Sequence, residues 1–433
     1  MLGKLFCTSL LIAFSFFSFA ASTKAQTCGT TESEPGVVLV TLDTTASLNP
    51  ILQQYGLTLI DQDGTNPIYK LGINGGIPVC DKVVQLRTDI RVVFAQPNYQ
   101  ASPIEGSGII HWAGGPQRLK GNEYGFSNQW AISSIKLREA QQQSTGNGVI
   151  VAVLDTGIDL NHPLFAGRLL PGKDFVDNDD DPSEVFIDGI RVYGHGTHVA
   201  GIIALVAPNA KILPIRVLNA KGVGNDWILI DALRYIQNYN VGGNKVQVFN
   251  MSFTSPDRSD VAEGVLHDAV KGNVSFNEGG NRPRILAVAA AGNSGSSLPH
   301  YPAAESVCEG EILSVAGYGS DTNLLFFSNA SSLIRCTPAD PLLPWVNLMA
   351  PGYRIISAMP DGKYGTWSGT SMSSPFVAGV GALVRAKFPY NGNNFDAEDV
   401  ACQIVNTATS AGAGTLPKLN AQAAVSSFLT QCQ

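Results

Sequence analysis

An α/β fold with a doubly wound, mostly parallel sheet is what the sequence predicts, and three observations carry it. Five short runs, residues 149–154, 212–218, 246–251, 285–290 and 312–316, are largely apolar at odd and even positions alike. Strands of that kind are covered on both faces, as in parallel sheets. Around them lie stretches of helical period, 199–205, 227–238, 261–271 and 376–386. Strands alternating with helices make one sheet with helices on both sides. Finally, 433 residues with 44% apolar content exceed a single small core, so more than one domain is expected.

In chain order, residues 1–25 carry Lys4, an apolar run over 5–20 and the small residues Thr23 and Ala25. This is the pattern of a secretory signal peptide. The run is shorter than the roughly 20 residues a membrane span needs. No later segment is long and apolar enough to span, so a soluble, secreted product, extracellular or periplasmic, is expected. Residues 26–101 read strand (37–42), helix (46–55), strands (57–61 and 68–73), helix (82–86) and strand (91–94). That β-α-β-β-α-β order is the split unit of a small ferredoxin-like α+β module. Residues 102–125 are rich in Gly, Pro and polar side chains, which reads as an exposed linker open to proteolysis. Residues 126–433 hold the α/β domain.

The formal net charge is −7, only 15% of residues are charged, and there is no Lys/Arg block. Nucleic acid and an anionic membrane surface are therefore poor partners, and a monomer is expected. Of seven cysteines, Cys7 falls in the leader. The remaining Cys28, Cys80, Cys308, Cys336, Cys402 and Cys432 are even in number, which in an oxidising compartment implies disulfides. Nearest-neighbour pairing gives Cys28–Cys80, Cys308–Cys336 and Cys402–Cys432, with other connectivities open. None forms a CxxC pair, so a zinc or redox site is not expected.

Functional groups in such sheets gather at the carboxyl ends of the strands. The run 149–154 ends in Asp155-Thr156-Gly157, and the run 285–290 ends in Ala291-Gly292-Asn293. Between them, His195 opens a helical stretch in Gly194-His195-Gly196-Thr197-His198. Gly369-Thr370-Ser371-Met372-Ser373-Ser374-Pro375 precedes another, with Pro375 expected in its first turn, where a missing N–H has no partner to lose. Ser371 then sits where orphan N–H groups and the positive end of the helix dipole converge. A serine hydroxyl needs a base, and the base needs a carboxylate on its far nitrogen; Ser371, His195 and Asp155 offer those types. The Ser371 backbone N–H and the Asn293 amide offer donors for an oxyanion. Each segment also has a plainer reading: Asp155 as a cap, Asn293 as a left-handed turn residue, the serine segment as a capped turn. His195 and His198 could form a metal pair, but no HExxH glutamate accompanies them. The aspartates Asp174, Asp177, Asp179, Asp180 and Asp181 read first as a solvated acidic loop.

Together the four segments resemble the subtilisin-like serine proteases, the subtilases, in the order Asp, His, Ser. The matching stretches are Val153-Leu154-Asp155-Thr156-Gly157-Ile158-Asp159, His195-Gly196-Thr197-His198-Val199-Ala200-Gly201, Ala291-Gly292-Asn293 and Gly369-Thr370-Ser371-Met372-Ser373-Ser374-Pro375. Residues 369–373 lack the final Gly of GxSxG, which sets the chain apart from α/β-hydrolases. The resemblance implies a subtilisin-like α/β fold and a secreted serine endopeptidase, with Asp155, His195 and Ser371 as triad and Asn293 as oxyanion donor. It also implies pocket walls at Ser252-Phe253-Thr254 and Ala291-Gly292, with extended polypeptide substrates added as strands. Thr254 stands where the family usually has Gly, which narrows the cleft. No cofactor is required for the chemistry. Residues 201–207 leave no room for subtilisin's calcium loop, whereas Asp174, Asp177 and Asp179 resemble a thermitase calcium loop and are candidate structural calcium ligands. The module of residues 26–101 is similar to subtilase propeptides, which implies a zymogen inhibited by its own propeptide. Asn273 and Asn329 open glycosylation sequons. A catalytically silent subtilase-like protein that binds peptides, and a secreted esterase, remain the rival readings.

Overall fold

The computed structural model describes residues 32–64, 66–103, 121–272, 284–307, 310–330, 333–334, 343–388, 396–410, 412 and 415–429. The leader, most of the linker, Asn273, Cys28, Cys308, Cys336 and Cys432 lie outside them, so each expected disulfide has at least one member there.

Strand β1 (Ser33–Leu42), helix α1 (Leu48–Tyr55), strands β2 (Leu57–Gln62) and β3 (Ile68–Ile73), helix α2 (Val79–Leu86) and strand β4 (Val92–Pro103) realise the expected β-α-β-β-α-β order. They form an antiparallel sheet in the order β4-β1-β3-β2. Alternation along β1 explains its two faces: Val38, Val40 and Leu42 pack with Ile51, Leu71, Val83 and Leu86, while Leu39 points the other way into the core of the second domain. The last strand runs well past the expected 91–94. Its second half finds partners distant in sequence, which no local pattern reveals.

The second domain opens with short helices α3 (Glu123–Ser127), α4 (Trp130–Ser134) and α5 (Leu137–Gln141), then β5 (Ile150–Asp155), β6 (Lys173–Asp174) and α6 (His195–Val206). There follow β7 (Lys211–Arg216), β8 (Gly224–Asn225), α7 (Asp226–Asn238), β9 (Val248–Met251), β10 (Phe253–Thr254), α8 (Asp260–Lys271), β11 (Leu286–Ala290) and β12 (Ile312–Tyr318). The hairpin β13 (Leu333–Ile334) and β14 (Leu343–Pro344) leads to β15 (Leu348–Pro351) and the hairpin β16 (Ile355–Met359) and β17 (Lys363–Trp367). Helices α9 (Thr370–Lys387), α10 (Ala397–Asn406) and α11 (Ala421–Ser426) close it. Seven strands form the sheet β15-β12-β11-β9-β5-β7-β6, with every pairing parallel. Val151, Val153, Val288 and Val315 face α6 and α9, while Ala152, Leu154, Phe249 and Ala289 face α7 and α8. Apolar residues on both strand faces thus fill two cores. The five expected strands are present; β6 and β15 are additional, β6 being too short to show as a run. Among the described residues no helix is long and apolar enough to cross a membrane.

Helix α9 starts at Thr370 and carries Pro375 inside it, one turn later than the sequence suggests. Proline at that place deletes the N–H that would bond the Ser371 carbonyl four residues back. The Ser252 hydroxyl fills the gap, donating to Ser371 O at 3.2 Å.

Candidate active site

Parallel strands bring their carboxyl ends to one edge, and α6 and α9 pack side by side beneath it. Asp155 is the last residue of β5 and His195 the first of α6. The imidazole Nδ1 lies 2.6 Å from Asp155 Oδ1, with both side chains fully buried. Ser371 occupies the first turn of α9, and its hydroxyl donates to the Ser252 carbonyl at 3.3 Å. Trp367, four residues earlier, brings its ring to 5.6 Å from that of His195. The Asn293 side-chain Oδ1 accepts from the Thr370 N–H at 2.9 Å, which ties the Asn293 loop to the start of α9.

His198 is a buried core histidine on the next turn of the same helix. Its Nε2 lies 3.2 Å from the Ile355 carbonyl oxygen, its ring stacks on Trp367 at 5.3 Å, and burial, helped by His195, pulls its pKa down to about 3. At the acidic loop, the carboxylates of Asp174 and Asp177 both bind the Arg216 guanidinium. Asp179 instead caps its own turn through Asp181 N–H at 2.9 Å. Among the described residues no group of three or more His, Cys, Asp or Glu side chains could hold a metal.

The pocket segments fall as follows. Phe253 and Thr254 form β10, which pairs antiparallel with the end of β4: Thr254 opposite Ser102 and Phe253 opposite Pro103. On the other side of that tail, Asn225 and Gly224 of β8 pair with Gln100 and Ala101. Ser252 is buried and receives Asn250 Nδ2 at 2.8 Å. Ala291 and Gly292 follow β11, with Gly292 at φ 116°, where only Gly is comfortable. A Cβ there would also strike the Asn329 amide.

Two residues were missed. Asn329, read as a sequon, is fully buried and organises the Asn293 loop: its Oδ1 accepts from Ser294 N–H at 3.1 Å and Ser296 N–H at 3.0 Å, and its Nδ2 donates to Ala291 O at 2.9 Å. A glycan has no room there. Glu184, in a polar loop without a motif, reaches the start of α6; burial pushes it up to about 7 despite opposing N–H donors at Thr197 and Gly194.

A serine-type hydrolase on a doubly wound sheet is the class these features define. Residues 146–423 match the subtilase family, Peptidase_S8, and the chain belongs to that family. It is 38% identical over 269 residues to an intracellular serine protease of Paenibacillus polymyxa, covering 59% of this chain and 72% of that protein. It is 33% identical over 303 residues to thermitase of Thermoactinomyces vulgaris, covering 67% of this chain and 92% of thermitase. The crystal structure of fervidolysin from Fervidobacterium pennivorans superposes with TM-score 0.70 at 21% identity, over 92% of this chain and 62% of that one. The chain is therefore a subtilisin-like serine endopeptidase acting on polypeptides.

Proposed function

We propose that the chain is a secreted zymogen whose residues 26–101, cut from the domain of residues 126–433 within or near the linker 102–125, act as an inhibitory propeptide, and that hydrolysis runs through an acyl-enzyme on Ser371. His195 takes the Ser371 proton as the hydroxyl attacks the scissile carbonyl, and Asp155 holds Nδ1–H and stabilises the imidazolium. The Ser371 N–H and the Asn293 amide receive the oxyanion. His195 then protonates the leaving amine, and water repeats the sequence to release the acyl group. Nucleophile, base and oxyanion donors all come from the chain, so the chemistry needs no cofactor. The three cysteine pairs given above would staple the secreted form.

One observation supports both halves of the reading. The tail of β4 lies as an antiparallel strand between β8 and β10, next to Ser252, whose carbonyl accepts from the Ser371 hydroxyl. A peptide chain thus occupies the position an extended substrate takes by strand addition. The module is gripped further back as well: Gln96 Oε1 accepts from Val261 N–H at 3.1 Å and Asn98 Oδ1 from Trp227 N–H at 3.0 Å, capping the starts of α8 and α7.

A fluorophosphonate probe tests the proposal. Processed wild type should be labelled and Ser371→Ala should be neither labelled nor self-processed. A correctly processed wild type that stays unlabelled would favour the silent peptide-binding reading; ester turnover without protein cleavage would favour the esterase.

A further inference from the structure

Helix α6, which begins with His195, has Gly194 as its N-cap and no side-chain cap of its own. The first-turn N–H groups of a helix need outside acceptors, and here Glu184 supplies two of them, to Gly194 and Thr197. Its carboxylate accepts from the Gly194 N–H, from the Thr197 N–H at 2.8 Å, from the Thr197 hydroxyl at 3.1 Å and from the Thr156 hydroxyl at 3.3 Å. Both threonines pass the tie onward: Thr156 Oγ1 accepts from the Gly196 N–H at 3.0 Å, and Thr197 Oγ1 from the Asp159 N–H at 2.8 Å. Thr156 is the neighbour of Asp155. One carboxylate therefore joins the strand end bearing Asp155 to the helix start bearing His195.

We propose that Glu184 is a positioning residue of the hydrolytic site, fixing the imidazole of His195 against Asp155 without touching substrate. Every partner of its side chain is a donor, so both oxygens must accept. Gln has the same size but would turn an NH2 toward an N–H; Asp is shorter but keeps two acceptors. The proposal rests on the triad reading above and adds a residue to it.

The test uses the processed enzyme. Glu184→Gln should lower kcat about tenfold or more, since small misplacement of a catalytic group is costly, with KM held within about twofold. Glu184→Asp should lie between Gln and wild type, an order set by acceptors rather than by size. Melting curves confirm that each variant is folded at the assay temperature. Should Glu184→Gln fail to mature, Thr156→Val, which removes only the Thr156 arm of the network, should still lower kcat with KM unchanged. A folded Glu184→Gln or Thr156→Val with wild-type kcat overturns the proposal. So does a loss that appears wholly in KM, or an Asp variant poorer than Gln. His195→Ala in the same assay separates the two levels: full activity there would sink the triad, whereas an inactive His195→Ala beside a normal Glu184→Gln sinks only the positioning role.

Discussion

Asp226 makes the grip between the N-terminal module and the protease domain pH-dependent. It lies at the start of α7, 5% exposed, where Gln96 Nε2 of β4 donates to it at 3.0 Å. Burial pushes its pKa from 3.8 up to about 7, against the opposing bonds from Ser259, Tyr99 and Gln96. Once the module leaves, the carboxyl regains water and an ordinary pKa, so docking takes up a proton. The contact is therefore at full strength below about pH 4 and is lost progressively as pH rises through about 7. Linkage between those two values gives a weakening of about 2–3 kcal/mol from pH 5 to pH 8. Asp231, also raised to about 7 by burial and by Asp61 and Asp63, adds in the same direction. The assay is urea release of the module in uncut Ser371→Ala, followed by the fluorescence of Trp227, whose indole donates to Asp61 of the module at 3.2 Å. Asp226→Asn should remove most of the pH slope and leave the part due to Asp231. A flat profile in the parent, or an identical slope in Asp226→Asn, would refute the linkage.

Asn293→Ala should lower kcat about 10²–10³-fold, the size of one oxyanion donor in this family, with little change in KM in steady-state peptide hydrolysis. Ser252→Ala leaves the Ser371 carbonyl without its replacement donor and should cost about 1–3 kcal/mol of stability, read from thermal melts. Because the tail of β4 is paired with β10 up to Pro103 opposite Phe253, N-terminal sequencing of the processed protein should begin within a few residues after Pro103; a start beyond the linker would reject that register. Because Arg216 already neutralises Asp174 and Asp177, a chelator should leave melting of the 173–216 region unchanged by hydrogen exchange. Arg216→Met should destabilise the chain by about 3–5 kcal/mol by stranding a buried carboxylate.

The two cores were legible in the sequence because burial on both faces of β5, β9 and β11 demands the apolar runs seen there. The positions of Asp155, His195, Asn293 and Ser371 at or just past strand ends and at glycine-flanked helix starts were legible because a parallel sheet brings such ends to one edge. What escaped depends on long-range partners. The tail of β4 is ordered by β8 and β10, Pro375 is tolerated because Ser252 answers the carbonyl it frees, and Glu184 matters through donors on two other segments. Asn329 was misread because a sequon is a three-residue pattern, whereas its burial is decided by the loop after β11.

Pro375 one turn into α9 has a consequence for how tolerant the enzyme can be. By freeing the Ser371 carbonyl, it fastens that serine to Ser252, and the next two residues, Phe253 and Thr254, are the strip against which the tail of β4 is paired. Under the proposed mechanism, ruler and blade are one rigid part: the place of cleavage is counted out in backbone steps, and a one-residue insertion between Ser252 and Ser255 should shift the alignment, changing the bond cut before it changes which side chains fit.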